Sequence, residues 1–196
     1  MLNKISYKLS SIVANNTGVD EETREVYQYA FELILTTIIG FAAILAIAML
    51  SIGIEYGIIF LIFFSSLRTV AGGYHADSYL KCFCVSCVMF VGVVIAYRIL
   101  LSLDIRAGWL TIIAVVSGIY IILRAPVLHR NQPLNERKIQ KNKQMAKIIV
   151  ITELAVICLL AMVRIDLMIM AIISICLVTL LMLPSDRKIR GRRSIK

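Results

Sequence analysis

The sequence predicts an all-α, polytopic membrane protein with about six transmembrane helices and an N-terminal interfacial amphipathic helix. Three observations predict it. The 196 residues are 60% hydrophobic with a mean hydropathy of +0.87, where soluble domains average roughly 45–50% apolar. Apolar segments near the length needed to cross a bilayer recur six times. Basic residues bunch between them, seven from Arg124 to Lys147 and six from Arg187 to Lys196, as they do in segments retained on the cytoplasmic side.

The elements follow in chain order. Residues 2–13 put Leu2, Ile5, Leu9, Ile12 and Val13 on one helical stripe, with Asn3, Lys4, Lys8 and Ser10 elsewhere, the pattern of a short helix lying on a membrane surface. Asn15-Asn16-Thr17-Gly18 breaks it, and Asp20 is placed to cap the next helix. The six apolar segments are Ala30–Leu50, Tyr56–Leu67, Cys82–Tyr97, Ala107–Leu123, Ile148–Val163 and Leu167–Pro184. The second is the weak point of a six-span count, because a straight span needs about 17–25 residues. No internal repeat or soluble domain is evident. The organisation expected is a single integral membrane domain over 1–196: an interfacial helix at 1–18, a helical bundle at 20–184 and a basic cytoplasmic tail at 185–196. No cleavable signal peptide is expected, since the first apolar run comes late and lacks a small-residue cleavage site. Positive-inside orientation puts the 124–147 loop, both termini and the 68–81 connection in the cytoplasm.

A net charge of +9 on a membrane protein points to anionic headgroups or an acidic partner rather than to nucleic acid, for which no motif appears. Of the cysteines, Cys158 and Cys176 lie in apolar runs and read as small buried hydrophobes. The odd total of five argues against a disulfide framework.

The other three cysteines lie in or just beyond the chain's densest polar stretch, "RTVAGGYHADSYLKCFC" from Arg68 to Cys84, which also holds one of the two histidines. In one unbroken helix His75 and Cys82 would stand about 10 Å apart, too far for a thiol–imidazole hydrogen bond. Asp77 and Ser78, however, are good caps for a helix starting near Tyr79, which leaves His75 on the preceding loop and Cys82 in or just after the first turn. Gly72-Gly73 supplies the freedom for that loop to fold back. A helix N-terminus and a neighbouring imidazolium both favour thiolate, so Cys82 is the candidate nucleophile and His75 its proton-transfer partner. A metal site from His75, Cys82, Cys84 and Cys87 is an alternative, disfavoured because helical Cys82 and Cys84 diverge. An inert loop and helix is another.

The pattern Arg68-x-x-x-Gly72-Gly73-x-His75-Ala76, with Cys82 seven residues after the histidine, resembles the signature of the AgrB family, membrane endopeptidases that process quorum-sensing pheromone precursors. The chain length, the amphipathic start, the six apolar segments and the basic stretch "RAPVLHRNQPLNERKIQKNK" fit the same family. The resemblance implies that His75 and Cys82 are catalytic, and that Arg68, Gly72 and Gly73 orient structure or substrate. No third catalytic residue is matched; Asp77 reads better as a helix cap. The implied substrate is an AgrD-like propeptide, cut at the C-terminal side of its pheromone segment through an acyl-enzyme thioester and closed to a thiolactone or lactone. The resemblance also implies a homodimer, and it implies no cofactor and no metal. The acidic tail of such a substrate would meet Lys138, Lys141 and Lys143, in a loop whose His129 is an ordinary loop residue and whose Pro126 and Pro133 stiffen it. Glu32 is expected to reach the cytoplasmic interface, and Glu153 to pair with a basic residue inside the bundle. The rival reading is a non-enzymatic small transporter or peptide-export component, which would carry its polar residues at the bilayer midplane. A thiol-redox membrane protein is a further one.

Overall fold

The computed structural model describes residues 2–72, 79–103, 106–127 and 136–193, and these form seven helices. They are α1 (Leu2–Thr17), α2 (Glu21–Ser51), α3 (Ile54–Ala71), α4 (Tyr79–Ser102), α5 (Ala107–Arg124), α6 (Glu136–Val163) and α7 (Ile165–Arg193). All but α1 are long and apolar enough to cross a membrane, so six spans are present among the described residues. The doubtful second segment resolves in favour of a full span. With 18 residues at 1.5 Å per residue, α3 is about 27 Å long, because Ile54 and Glu55 extend it at one end and Arg68–Ala71 at the other.

The spans run alternately up and down. One end of the bundle carries the α3–α4 connection, the end of α5 and the start of α6; the other carries the α2–α3 and α6–α7 turns. The innermost helix is α7, whose Met168, Met170, Ala171, Ile175, Val178 and Met182 are fully buried, with α3, α4, α5 and α6 packed round it. Outside this core α2 packs on α3 and α4. Buried hydroxyls turn back on their own helices, as Ser174 Oγ does in donating to Met170 O at 2.8 Å, since hydrocarbon offers a polar group no other partner.

The turn end opposite the α3–α4 connection is tied by a polar cluster. Tyr56 OH donates to Asp166 Oδ2 at 2.8 Å, Arg164 donates to the same carboxylate at 2.7 Å and 3.0 Å, and the Tyr56 and Tyr97 rings lie 5.0 Å apart. The ends of α3 and α7 thus meet at one carboxylate, with Tyr97 of α4 packed on Tyr56 beside it.

Close packing of α2 on α3 depends on Gly57, where a Cβ would lie 2.6 Å from Ala48 Cβ and 3.3 Å from a Leu45 methyl. Gly57→Ala is therefore expected to destabilise the bundle by about 1–3 kcal/mol, the usual cost of overpacking, despite alanine's better helix propensity. A thermal-shift series in detergent checks it: an unchanged or raised midpoint would contradict the packing.

Asp20 caps α2 as its position predicts, its side chain accepting from Thr23 N at 3.3 Å. The hydrogen bonds from the Thr23 side chain and backbone hold its carboxyl below the ordinary carboxylate range. The amphipathic start folds back antiparallel on α2, with Ser6, Ser10 and Ala14 buried in the contact and Ile5, Tyr7 and Ile12 exposed. Small residues four apart let two helix axes approach closely. Ile5 and Ile12 of the apolar stripe are thus left for a surface outside the chain, Leu9 and Val13 are half-buried, and the small-polar stripe makes the closest internal contact.

Two expectations about acids change. Glu32 accepts from Asn3 Nδ2 at 3.0 Å and from Ser6 Oγ at 3.4 Å, so it holds α1 to α2 instead of reaching outward alone. Glu153 is buried, and its partner is Ser66 Oγ at 2.6 Å rather than a basic side chain.

Candidate active site

The densest polar stretch maps to one end of the bundle. Its near side is the end of α3. Gly72 closes that helix at φ 73°, ψ −152°, a region open essentially to glycine alone. The segment after α5 is knit onto it: Val127 N donates to Ala71 O at 2.8 Å, and Gly72 pairs with Val127 as an isolated parallel bridge. A Cβ on Gly72 would lie 2.5 Å from Val127 O. Both the backbone angle and the neighbouring carbonyl therefore require glycine here. Arg68, one turn back on α3, donates through Nη1 to Gly72 O, so its guanidinium fastens the turn by which the chain leaves the helix.

The far side is the start of α4, described from Tyr79. Cys82 is thus its fourth residue, in the first turn, and is exposed. Free N–H groups and the positive end of the helix dipole lie there. Arg68 near the end of α3 and Cys82 at the start of α4 thus flank the 73–78 segment from its two ends. Cys84 is exposed and Cys87 half-buried. At 3.6 residues per turn these two point about 160° and 140° away from Cys82. Gly73, His75, Asp77 and Ser78 lie outside the described residues, as do His129 and Pro133.

The basic stretch is corrected in kind. Its second half is not loop: Lys138, Lys141 and Lys143 stand exposed on the first turns of α6. Lys138 and Lys141 share a side of that helix, and Lys143 points about 140° from Lys138. The periodic signal was weak because Glu136–Lys147 is almost wholly polar, and a helix without an apolar stripe reads as loop. Among the described residues no three His, Cys, Asp or Glu side chains are grouped so as to hold a metal ion.

Two features were missed by sequence reasoning. One is the strand-like pairing of Gly72 with Val127, which joins residues 55 positions apart and leaves no periodic trace. The other is the Glu153–Ser66 contact, one and a half turns inside Ala71; the Glu153 Oε2 has no hydrogen-bond partner among the described residues. An acid in an apolar run was the signal; its partner was a serine that sequence gives no reason to choose.

Comparison with known proteins agrees with this architecture. The family model for accessory gene regulator B matches residues 6–183. An AgrB-like protein of Clostridium perfringens strain SM101 is 27% identical over 154 residues, covering 75% of this chain and 70% of the relative. A second AgrB-like protein, from Clostridium perfringens strain 13, matches with the same identity and coverage. No solved structure matches. With the family model spanning all six membrane helices, the chain belongs to the AgrB family, multi-pass membrane proteins of agr quorum-sensing propeptide processing.

Proposed function

We propose that the chain is a cysteine endopeptidase that removes the acidic C-terminal tail of an AgrD-like propeptide, with Cys82 as nucleophile and His75 as proton carrier. The observation that carries the reading is the position of Cys82: exposed, and in the first turn of α4.

The chemistry balances without a cofactor. His75 takes the thiol proton as Cys82 Sγ attacks the scissile carbonyl, and the tetrahedral intermediate collapses to a thioester as His75 hands that proton to the departing amine. An internal thiol of the peptide then displaces Cys82, one thioester replacing another; its proton passes through His75 back to the Cys82 sulfur. A serine in its place would give a lactone. Water competes at the acyl-enzyme stage, so a site at the membrane edge that excludes it favours ring closure. Arg68, with Gly72 and Gly73, is assigned to shaping the turn that presents His75. The active site and both termini face the cytoplasm in this reading, the side on which basic segments are retained, and two copies associate.

Cleavage in liposomes holding only this chain tests it. Release of the acidic tail from an added propeptide is expected, and a propeptide left intact by folded protein overturns the reading.

Charge supplies the second contact. Lys138, Lys141 and Lys143 stand exposed on α6, ready to meet the acidic tail. Replacing all three with Gln is expected to raise KM by roughly 5–30-fold, on the basis of about 0.3–0.7 kcal/mol for each exposed pair, and to flatten its dependence on salt. Unchanged salt dependence with normal insertion would reduce these lysines to a topology signal.

A further inference from the structure

Glu153 is a titratable group that the cleavage chemistry does not use. It lies on the inward face of α6 in line with Ala146, Val150 and Ile157, all fully buried, and is itself 6% exposed. Its Oε1 accepts from Ser66 Oγ of α3 at 2.6 Å, while Oε2 has no hydrogen-bond partner among the described residues. Ser66 does not need it. The serine Oγ also lies 2.6 Å from Ile62 O and 3.2 Å from Phe63 O. A hydroxyl has one hydrogen to give, so its own helix would satisfy Ser66 if the acid were absent. A carboxyl met at one oxygen inside an apolar bundle costs more to bury than an apolar side chain of similar size. Stability therefore gives no reason for an acid at this position.

We propose that Glu153 is a positioning residue for the cleavage site, acting through Ser66 on the turn at Gly72. The inference rests on the reading of Cys82 and His75 as the reacting pair. Ser66 stands about 9 Å from Gly72 along the axis of α3, and Arg68 lies two residues further on, about 160° round the helix. The rest of the buried face of α3, from Phe60 to Ala71, is apolar. Apolar contacts are non-directional and let one helix turn or slide against another, whereas a hydrogen bond weakens steeply as its angle closes. The Glu153–Ser66 bond thus fixes the rotation and height of the last two turns of α3, where apolar packing does not. A rotation at Ser66 swings Arg68, which holds Gly72 O, and with it the point from which the 73–78 segment departs. Because α6 also carries Lys138, Lys141 and Lys143 toward its start, the same bond keeps those lysines in register with the turn.

Four variants test this, each in liposomes with the added propeptide of the cleavage assay and each with a thermal midpoint in detergent. Glu153→Gln keeps an oxygen for Ser66 and is expected to cleave within about 3-fold of wild type. Glu153→Met fills the space with an adaptable apolar chain and leaves Ser66 bonded to Ile62 O. Its midpoint should equal or exceed that of wild type. Its kcat should fall about 10-fold or more with KM within about 3-fold, the pattern of lost positioning rather than lost binding. Ser66→Ala strands the carboxyl and should lower both kcat and midpoint. Adding Glu153→Met to Ser66→Ala should restore the midpoint and not kcat. Wild-type kcat in Glu153→Met overturns the proposal, as does a kcat that falls only in variants whose midpoint falls. A loss in Glu153→Gln equal to that in Glu153→Met overturns it too. Those outcomes leave Cys82 as nucleophile, whereas cleavage surviving in Cys82→Ala removes the enzyme reading and the positioning role together.

Discussion

Cys82→Ala is expected to abolish tail release, while Cys84→Ala and Cys87→Ala retain it within a few-fold. The difference is geometric. All three thiols lie within six residues on one helix, so an effect of general thiol reactivity would spread over them. Only Cys82 combines the first helical turn with exposure. Cys82→Ser should be nearly inactive, because a hydroxyl in that place is ionised far less than a thiol and makes a poorer leaving group at ring closure. His75→Ala should lose cleavage by at least about 100-fold, the low end of what general acid–base catalysis contributes, and should still insert and bind the propeptide. Tail release by high-resolution gel, with membrane insertion checked in parallel, separates these outcomes. Full activity in Cys82→Ala would contradict the assignment.

Gly72→Ala is expected to be as damaging without touching a reacting atom. At φ 73°, ψ −152° an alanine costs about 1–3 kcal/mol in backbone strain, and its Cβ would stand 2.5 Å from Val127 O. The Ala71–Val127 hydrogen bond and the Arg68–Gly72 contact depend on that turn. Its loss moves the point from which the 73–78 segment departs, and with it His75. Because the remaining contacts between the helices are untouched, the protein should still insert and elute as wild type on size exclusion, with cleavage reduced at least about 100-fold, since positioning errors near 1 Å already cost that much. Wild-type cleavage by Gly72→Ala would show that the turn does not position the site.

Much of this was legible in the sequence for identifiable reasons. Apolar segment length and the placement of basic residues gave six spans, because a bilayer constrains length more tightly than a soluble core does. Asp20 marked the start of α2, since capping is a local property of residue type. The second span was less clear, as Glu55 and Arg68 interrupt its apolar run although both lie at helix ends. Polar Glu136–Lys147 concealed the start of α6 for want of an apolar stripe. On α1, the fully buried residues are two serines and an alanine, so a pattern read from large apolar side chains does not find the centre of the contact. The bridge from Gly72 to Val127 joins distant parts of the chain and could be known only from the fold.

The central claim is that an acyl group is carried on Cys82. The direct measurement uses a propeptide whose cyclising thiol or hydroxyl is replaced, so that the acyl-enzyme accumulates, followed by intact-mass analysis of the wild-type chain and of each cysteine variant. One adduct of the mass of the pheromone segment is expected, present in wild type, Cys84→Ala and Cys87→Ala, absent in Cys82→Ala, and removed by hydroxylamine. An adduct that persists in Cys82→Ala, or tail release with no adduct in any variant, would contradict it.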